Sequence, residues 1–498
     1  MINAITVLAA ALQGIQGIVF EITARINDGK PDFVVTGLSD AAARELSIRV
    51  VSALRQAGHR LSGSHVVVNL TNPIGLGHLV GDLPVAIGVL AAVGKVPVDS
   101  LTSRLFLGDL SLDGQIRPVA GVLPMVLAAR DHGISEVIVP TANATEATLV
   151  SGVRCVAAST LSEVIDHLTG CLPLPPTAPD VVKNPEGSAI DLSDVCGQAH
   201  VKRAMEIAAA GPHHLLMVGP PGSGKTMLSR RLVTILPPMT EAEALEATCI
   251  HSAAGLLRYR ASLLRARPFR APHHTASVAA LTGGGARPRP GEVSLAHQGV
   301  LFLDEITEWC RECLEVVRQA VDTHESRVSR EGRTATFPAD CLVVAAMTGC
   351  PCAYIGDPRH RCSCSPDEVV AHRSRVKAMI DWCDIHIEVP AVPFRDLARP
   401  SGGESSEAVR LRVTQARVRG RSRDGELSRR RDTAAKASLP PEATRLLEAA
   451  QERLGLSPKS IDAVLRVART IADLDGNDDV RVVHISEAIQ FRWLDRHL

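Results

Sequence analysis

The residues Gly219-Pro220-Pro221-Gly222-Ser223-Gly224-Lys225-Thr226 fit the phosphate-binding pattern G-x-x-x-x-G-K-[ST] at every fixed position. Glycines there let backbone N–H groups wrap a polyphosphate, and a helix N-terminus adds positive potential. Lys225 is spaced to reach the β- and γ-phosphates of ATP, and the Thr226 hydroxyl to ligate Mg²⁺. The run Leu215-Leu-Met-Val218 reads as a buried strand before the loop, and Met227 to Val233 as a helix after it. Further on, Gly299-Val-Leu-Phe-Leu-Asp304-Glu305 is an apolar strand ending in two carboxylates. Asp304 suits Mg²⁺, directly or through water, and Glu305 suits polarisation of an attacking water. A third apolar strand, Cys341 to Met347, ends at Thr348, which either faces a γ-phosphate or only caps its strand.

Two C-x-C pairs follow, Cys350-Pro-Cys352 and Cys362-Ser-Cys364. They supply four thiolates for a tetrahedral zinc ion, or are four reduced structural thiols. His360 and His372 are substitute ligands, while His273-His274 reads as polar surface. Five arginines crowd Arg258 to Arg270, and Arg287-Pro-Arg-Pro-Gly291 forms a basic loop. Arg327 to Phe337 reads as a hairpin turning at Glu331-Gly332 and carrying Arg330 and Arg333. Between residues 401 and 434 arginines recur mostly at every second position, as in a solvated helix, a flexible connector or a phosphate-contacting surface.

The elements that must position these groups are aliphatic. The 498 residues are 45% apolar but only 3% aromatic, which argues against base-stacking platforms. Net charge is zero, so any nucleic-acid contact has to come from a local basic surface. The sequence shows no membrane span and no convincing signal peptide, and its 12 cysteines read as reduced thiols of a cytoplasmic protein. Residues 1–171 alternate short strands and helices: strands at Gly17 to Ala24, Phe33 to Gly37, His65 to Leu70 and Glu136 to Pro140, and helices at Ala41 to Ala57, Leu83 to Val93 and Val122 to His132. Leu105 to Leu107 and Ile116 to Pro118 bracket a turn at Leu112-Asp113-Gly114. The proline-rich stretch from Leu172 marks a linker over 172–190. A nucleotide-binding domain occupies 191–392, a basic connector 393–434, and a compact helical domain 435–498.

With these stretches in place, the chain resembles the YifB/ComM family of magnesium-chelatase-like AAA+ ATPases nearly end to end. The resemblance is carried by Leu107-Gly-Asp-Leu-Ser-Leu-Asp-Gly114, Phe269-Arg-Ala-Pro-His-His274, Pro288 to His297 and Arg466 to Leu474, beside the phosphate loop. It implies an α/β fold: a central AAA+ P-loop domain, an N-terminal Lon-protease-like α+β domain and a C-terminal helical lid. It further implies an ATP- and Mg²⁺-dependent homo-oligomer, a hexamer, that moves branched or single-stranded DNA in recombination or natural transformation, with the hairpin at Arg327 to Phe337 directed into the pore. Lys459 stands where the lid meets the phosphates. The chain departs from the family in the N-terminal domain, where Gly75-Leu-Gly-His-Leu-Val80 replaces a charged Lys-Glu-Gly loop, and at three residues around the phosphate: Thr348 replaces an asparagine, Trp382 an arginine that reaches a neighbouring subunit's γ-phosphate, and Lys459 an arginine. These departures leave a second reading open, a nucleotide-binding scaffold with decayed hydrolysis, and the chelatase cousins a third, a motor acting on a protein partner. A Lon-like protease is disfavoured, because residues 74–84 contain no serine.

Overall fold

The computed structural model describes residues 4–27, 32–61, 65–71, 78–178, 190–257, 263–285, 288–330, 333–357, 360–392, 403–424 and 439–497. The N-terminal part carries β1 (Ile5–Gln13), β2 (Gln16–Asn27), β3 (Asp32–Thr36), β4 (His65–Leu70), β5 (His78–Val80), β6 (Arg104–Phe106), β7 (Asp109–Leu110), β8 (Ile116–Arg117), β9 (Glu136–Pro140) and β10 (Arg154–Ala158). Eight of them form one mixed sheet in the order β10-β9-β6-β1-β2-β4-β3, with β5 paired to β1. The central strand β1 has no clear period-2 pattern in sequence, because six of its nine residues are buried. The turn at Leu112-Asp113-Gly114 lies in a small hairpin of β7 and β8, whereas Leu105 belongs to the large sheet.

The helix Asp82–Ala92 is apolar on all sides and is buried from Asp82 to Ala91, as such a helix has to be. A Cβ on Gly88 would press on Val7 Cγ2 at 3.3 Å, so a larger residue there would need the neighbouring side chains to give by a few tenths of an ångström. Asp82 is the buried charge at its start. Arg49 forks it at 2.6 and 2.9 Å, and the Leu110 N–H donates to it at 3.1 Å, which together satisfy the carboxylate.

The next strands are β11 (Leu215–Val218), β12 (Phe269–Arg270), β13 (Gly283–Gly284), β14 (Arg289–Pro290), β15 (Val300–Leu303), β16 (Glu325–Arg330), β17 (Arg333–Pro338), β18 (Leu342–Met347) and β19 (Ile385–Glu388). Five of them make an all-parallel sheet, β12-β15-β18-β11-β19. β11, β15 and β18 are buried at every residue, which matches their unbroken apolar runs and the helices on both faces. β11 comes first in the chain but lies between β18 and β19, so its carboxyl end is a topological switch point.

The C-terminal helices Pro441–Leu454, Pro458–Leu474 and Val482–Gln490 share one core with the P-loop domain: Leu447, Val464, Val467, Ile471 and Ile485 join Leu228 and Leu232. A buried polar junction reinforces the contact. Asp384, just before β19, accepts from His213 Nδ1 at 2.9 Å and Arg466 Nη2 at 2.7 Å, while His213 Nε2 meets Thr470 Oγ1 at 2.8 Å.

The described part of the basic connector expected over 393–434 is helical. Ser406–Asp424 is a 19-residue helix packed into the same core through Val409, Val413 and Ala416. Three of its arginines bond within the chain: Arg412 holds Glu206 at 2.6 Å as well as Glu404, Arg417 donates to the Ala209 carbonyl at 2.7 and 2.9 Å, and Arg419 to that of Asp473 at 2.8 Å. Burial pulls the Arg417 guanidinium down to about 10. The run Arg429 to Arg431 lies outside the described residues.

The N-terminal domain rests on the P-loop domain at two places. Gly121 N–H donates to the Ser252 carbonyl at 2.9 Å, and the Ser252 hydroxyl donates to the buried carboxyl of Glu146. At the other, Ile15 packs on Val328, Ala335 and Phe337 of the β16–β17 hairpin.

Candidate nucleotide site and cysteine cluster

The loop between β11 and the helix Lys225–Ile235 turns on Gly222 and Gly224, whose φ of 73° and 95° favour glycine. A Cβ on Gly219 would stand 2.2 Å from the Val389 carbonyl, so the loop also needs glycine at its start. The helix N-terminus then faces the loop concavity. Lys225 Nζ donates to the carbonyls of Gly219 at 2.8 Å and Pro220 at 2.9 Å. Burial pulls its ammonium below the usual range, and the Asp304 and Glu305 carboxylates push it back. Ser223 is 2% exposed, and its buried hydroxyl has no hydrogen-bond partner among the described residues.

Asp304 follows β15. Its Oδ2 accepts the Thr226 hydroxyl at 3.1 Å, its Oδ1 accepts the Glu305 N–H at 3.0 Å, and the Trp309 indole anchors its carbonyl at 2.9 Å. A hydroxyl and a carboxylate converging beside the loop are a donor set that suits Mg²⁺. Glu305 has a φ of 49°, and its exposed carboxylate lies 3.7 Å from His274 Nδ1. His274 in turn stacks on His273, centroids 4.1 Å apart. The histidine pair expected as plain polar surface thus stands beside a proposed catalytic carboxylate. Nothing in the local sequence signals this, because the contact depends on β12 pairing with β15.

Thr348 lies one residue past the Val218–Met347 pair, and Gly219 N–H donates to Met347 O at 3.2 Å. The threonine therefore flanks the start of the phosphate loop. Its hydroxyl donates to the Cys350 carbonyl at 3.1 Å and is 3.4 Å from His372 Nε2. Gln198 was not singled out by sequence, yet its side-chain amide braces the loop by donating to Ser223 O at 3.0 Å and Pro390 O at 3.2 Å. Lys459 is exposed in the first turn of Pro458–Leu474, and none of the bonds among the described residues joins it to the loop.

Trp382 lies at the opposite end of the sheet from the loop. Its ring stacks on His214, which precedes β11, at 4.2 Å, and its indole donates to Asp322 at 2.8 Å. Arg373, on the helix Pro366–Ser374, is buried. It donates to the Gly349 carbonyl at 3.3 Å and lies over the Trp493 ring, whereas Arg375 is exposed.

The four cysteines of the C-x-C pairs do meet. Cys350, Cys352, Cys362 and Cys364 have sulfurs all within 4.8 Å of one another. Backbone N–H groups, that of Tyr354 first, pull the Cys352 thiol down to about 6, and burial pushes Cys350 up.

The basic stretches are partly spent on structure. Arg267 donates to the carbonyls of Pro237 and Gln298, each at 2.6 Å, and Arg270 forks Glu292 at 2.6 and 2.7 Å. Arg327 pairs with Glu325 on its own strand at 3.0 Å. Arg265 and Arg289 are exposed. Arg258, Arg260 and Arg287, and the side chains of Arg330 and Arg333, lie outside the described residues. No described helix is long and apolar enough to cross a membrane.

Comparison with known proteins agrees along the whole chain. The model of magnesium chelatase, subunit ChlI, matches residues 191–397, that of subunit ChlI of Mg-chelatase residues 22–143, and that of the ChlI C-terminal part residues 403–492. Competence protein ComM of Haemophilus influenzae is 38% identical over 506 residues, covering 99% of this chain and 98% of that protein. The uncharacterized protein YifB of Escherichia coli is 36% identical over 496 residues, with 98% and 97% covered. Lon protease 2 of Bacillus subtilis is 31% identical over 130 residues, 26% of this chain and 22% of that protein. With a phosphate loop at the switch point of a parallel sheet and full-length similarity to both ComM and YifB, the chain belongs to the YifB/ComM family of magnesium-chelatase-like AAA+ ATPases.

Proposed function

We propose that this protein is an ATP-hydrolysing ring motor of the ComM type that acts on branched DNA. The observation that carries the ATPase reading is the meeting of Lys225, Thr226 and Asp304 at the switch point of the sheet. Bound there, Mg²⁺ neutralises phosphate charge and fixes the phosphates in place. Lys225 leaves its loop carbonyls for the phosphates, while Thr226 and Asp304 hold the cation. Glu305 accepts a proton from the attacking water, and Thr348 offers a hydroxyl to the γ-phosphate. Lys459 serves the phosphates from the lid. The four cysteines hold one zinc ion.

The DNA reading rests on the family resemblance, on relatedness to a protein named for competence, and on the exposed Arg265 and Arg289. The hexameric ring rests on the same resemblance. One observation favours the rival scaffold reading: Trp382 brings no cation to the place where the family resemblance implies an arginine. Nucleotide turnover measured with and without a four-way junction decides between them. Turnover stimulated by the junction is expected. ATP binding without turnover at any concentration or DNA would replace the motor by the scaffold.

A further inference from the structure

The end of β18 is tied to the cysteine cluster almost residue by residue. Cys350 gives its sulfur to the cluster and its carbonyl to the Thr348 hydroxyl, 3.1 Å away. Gly349, between them, gives its carbonyl to Arg373. A Cβ on Gly349 would stand 2.3 Å from Ile355 Cγ2, and the Ile355 N–H donates back to Cys350 Sγ at 3.4 Å. The segment from 348 to 355 therefore closes around one sulfur atom.

The sulfur spacings discriminate among occupants. Cys350 and Cys352 are 3.4 Å apart, Cys352 and Cys362 3.5 Å, and Cys362 and Cys350 3.7 Å. Thiolates at about 2.3 Å from one tetrahedral zinc ion lie about 3.8 Å from each other. Iron–sulfur clusters spread their cysteines over several irons and hold them farther apart. The arrangement fits a single ion.

We infer that the zinc ion held by Cys350, Cys352, Cys362 and Cys364 positions the Thr348 hydroxyl for the γ-phosphate, so that the cluster serves nucleotide discrimination as well as stability. This rests on the nucleotide and zinc assignments proposed above. Coordination fixes Cys350, and Cys350 fixes the residue two positions before it. The Thr348 hydroxyl donates to Cys350 O at 3.1 Å. A hydroxyl hydrogen rotates freely, so with ATP bound the proton turns to a γ-phosphate oxygen while the oxygen atom stays in place. ADP lacks that phosphate. The zinc effect therefore falls on ATP and spares ADP.

Four forms of the full-length protein test this: wild type, Cys364→Ser, Thr348→Ala and the double variant of the two. Each is measured for zinc content, melting, and affinity for ATP and ADP with magnesium. Wild type should carry about one zinc per chain, with sulfur neighbours at about 2.3 Å by X-ray absorption. Cys364→Ser should lose the metal and lower the ATP-over-ADP preference roughly ten-fold, with ADP affinity unchanged to within about two-fold. Thr348→Ala should lower the same preference with zinc retained, and the double variant should be no worse than the poorer single one, because both act through one hydroxyl. Wild type free of metal with four titratable thiols overturns the zinc assignment. Zinc that is lost from Cys364→Ser with the preference intact overturns the positioning role and leaves the metal standing. Wild type that binds neither nucleotide overturns the nucleotide site itself, whatever its zinc content. If Cys364→Ser fails to fold, stripping zinc from wild type with a chelator and restoring it supplies the same comparison.

Discussion

Thr226 Oγ1 and Asp304 Oδ2 lie 3.1 Å apart although 78 residues separate them in the chain. Parallel pairing of β11 through β18 to β15 brings them together. Asp304→Asn keeps the shape but lowers the charge facing magnesium. It should weaken magnesium-dependent ATP affinity about ten-fold or more and leave the melting temperature nearly unchanged. Lys225→Ala should weaken ATP binding further, because a partly buried cation is lost from the phosphates. Unchanged affinity in Lys225→Ala, measured by calorimetry, would remove the loop from the site.

Glu305 and His274 make a second, looser pair at 3.7 Å. Glu305→Gln should retain ATP and lose turnover by roughly a hundred-fold, the usual worth of a general base. His274→Ala should lower kcat less, with the KM for ATP unchanged, since the imidazole touches only Glu305 among the proposed site residues. An equal rise in KM would show instead that His274 contacts the nucleotide.

The loop, its strand and the Asp304–Glu305 strand end were legible in sequence because each is a short contiguous signal: glycines at fixed spacing, or an unbroken apolar run with carboxylates at its end. The cysteine pairs were legible as candidates, though nothing local shows that residues 352 and 362 approach. Gln198 and His274 were not legible, because their partners lie on other elements. The helix Ser406–Asp424 misleads for a different reason. Arginines at every second position look solvated, but Arg412, Arg417 and Arg419 reach carbonyls and carboxylates on neighbouring elements. A long guanidinium side chain crosses to such acceptors whatever the period of the pattern.

Glu146 supplies a test in pH. It is buried at the contact between the two domains, accepting from the Leu123 N–H at 3.0 Å, from the Asn143 amide at 3.3 Å and from the Ser252 hydroxyl. Burial raises its pKa, and the three hydrogen bonds lower it only in part. The folded form therefore holds the proton more tightly than the unfolded form does. Its contribution to stability is complete below the ordinary carboxyl pKa and is lost as pH rises through the raised one. Glu146→Gln should remove that component, so the variant should lose less stability than wild type as pH rises through the raised pKa. An identical pH profile in the variant would show that Glu146 is not the group responsible.

Asp384 should behave in the opposite sense. His213 and Arg466 hold its carboxylate far below the usual range against the opposing effect of burial. A depressed pKa gives stability that is present above the ordinary value and is lost as pH falls. Asp384→Asn leaves Arg466 facing a buried neutral group, which costs about 3–5 kcal/mol. Urea unfolding followed at the C-terminal helices measures this, and a cost near zero would mean that the junction is not what holds them to the sheet.

Trp382 bears on the rate of the proposed ATP hydrolysis. Its indole N–H is committed to Asp322, and an indole offers no second donor and no charge. Arg373 cannot substitute from its buried place on Gly349. An arginine reaching a neighbour's γ-phosphate is worth about a thousand-fold or more in rate. Slow hydrolysis is therefore expected of wild type, and Trp382→Arg should raise it. Asp322 would compete for the new guanidinium, so Trp382→Arg with Asp322→Asn should exceed Trp382→Arg alone. Mixing gives the decisive form of the measurement. A chain carrying both Trp382→Arg and Lys225→Ala has the arginine but no working loop, and wild type has the loop but no arginine. Turnover that appears only when the two are combined, and that rises with their total concentration, would place position 382 across a subunit boundary. Brisk wild-type turnover that survives Arg375→Ala would show that the neighbour's phosphate is served by another residue.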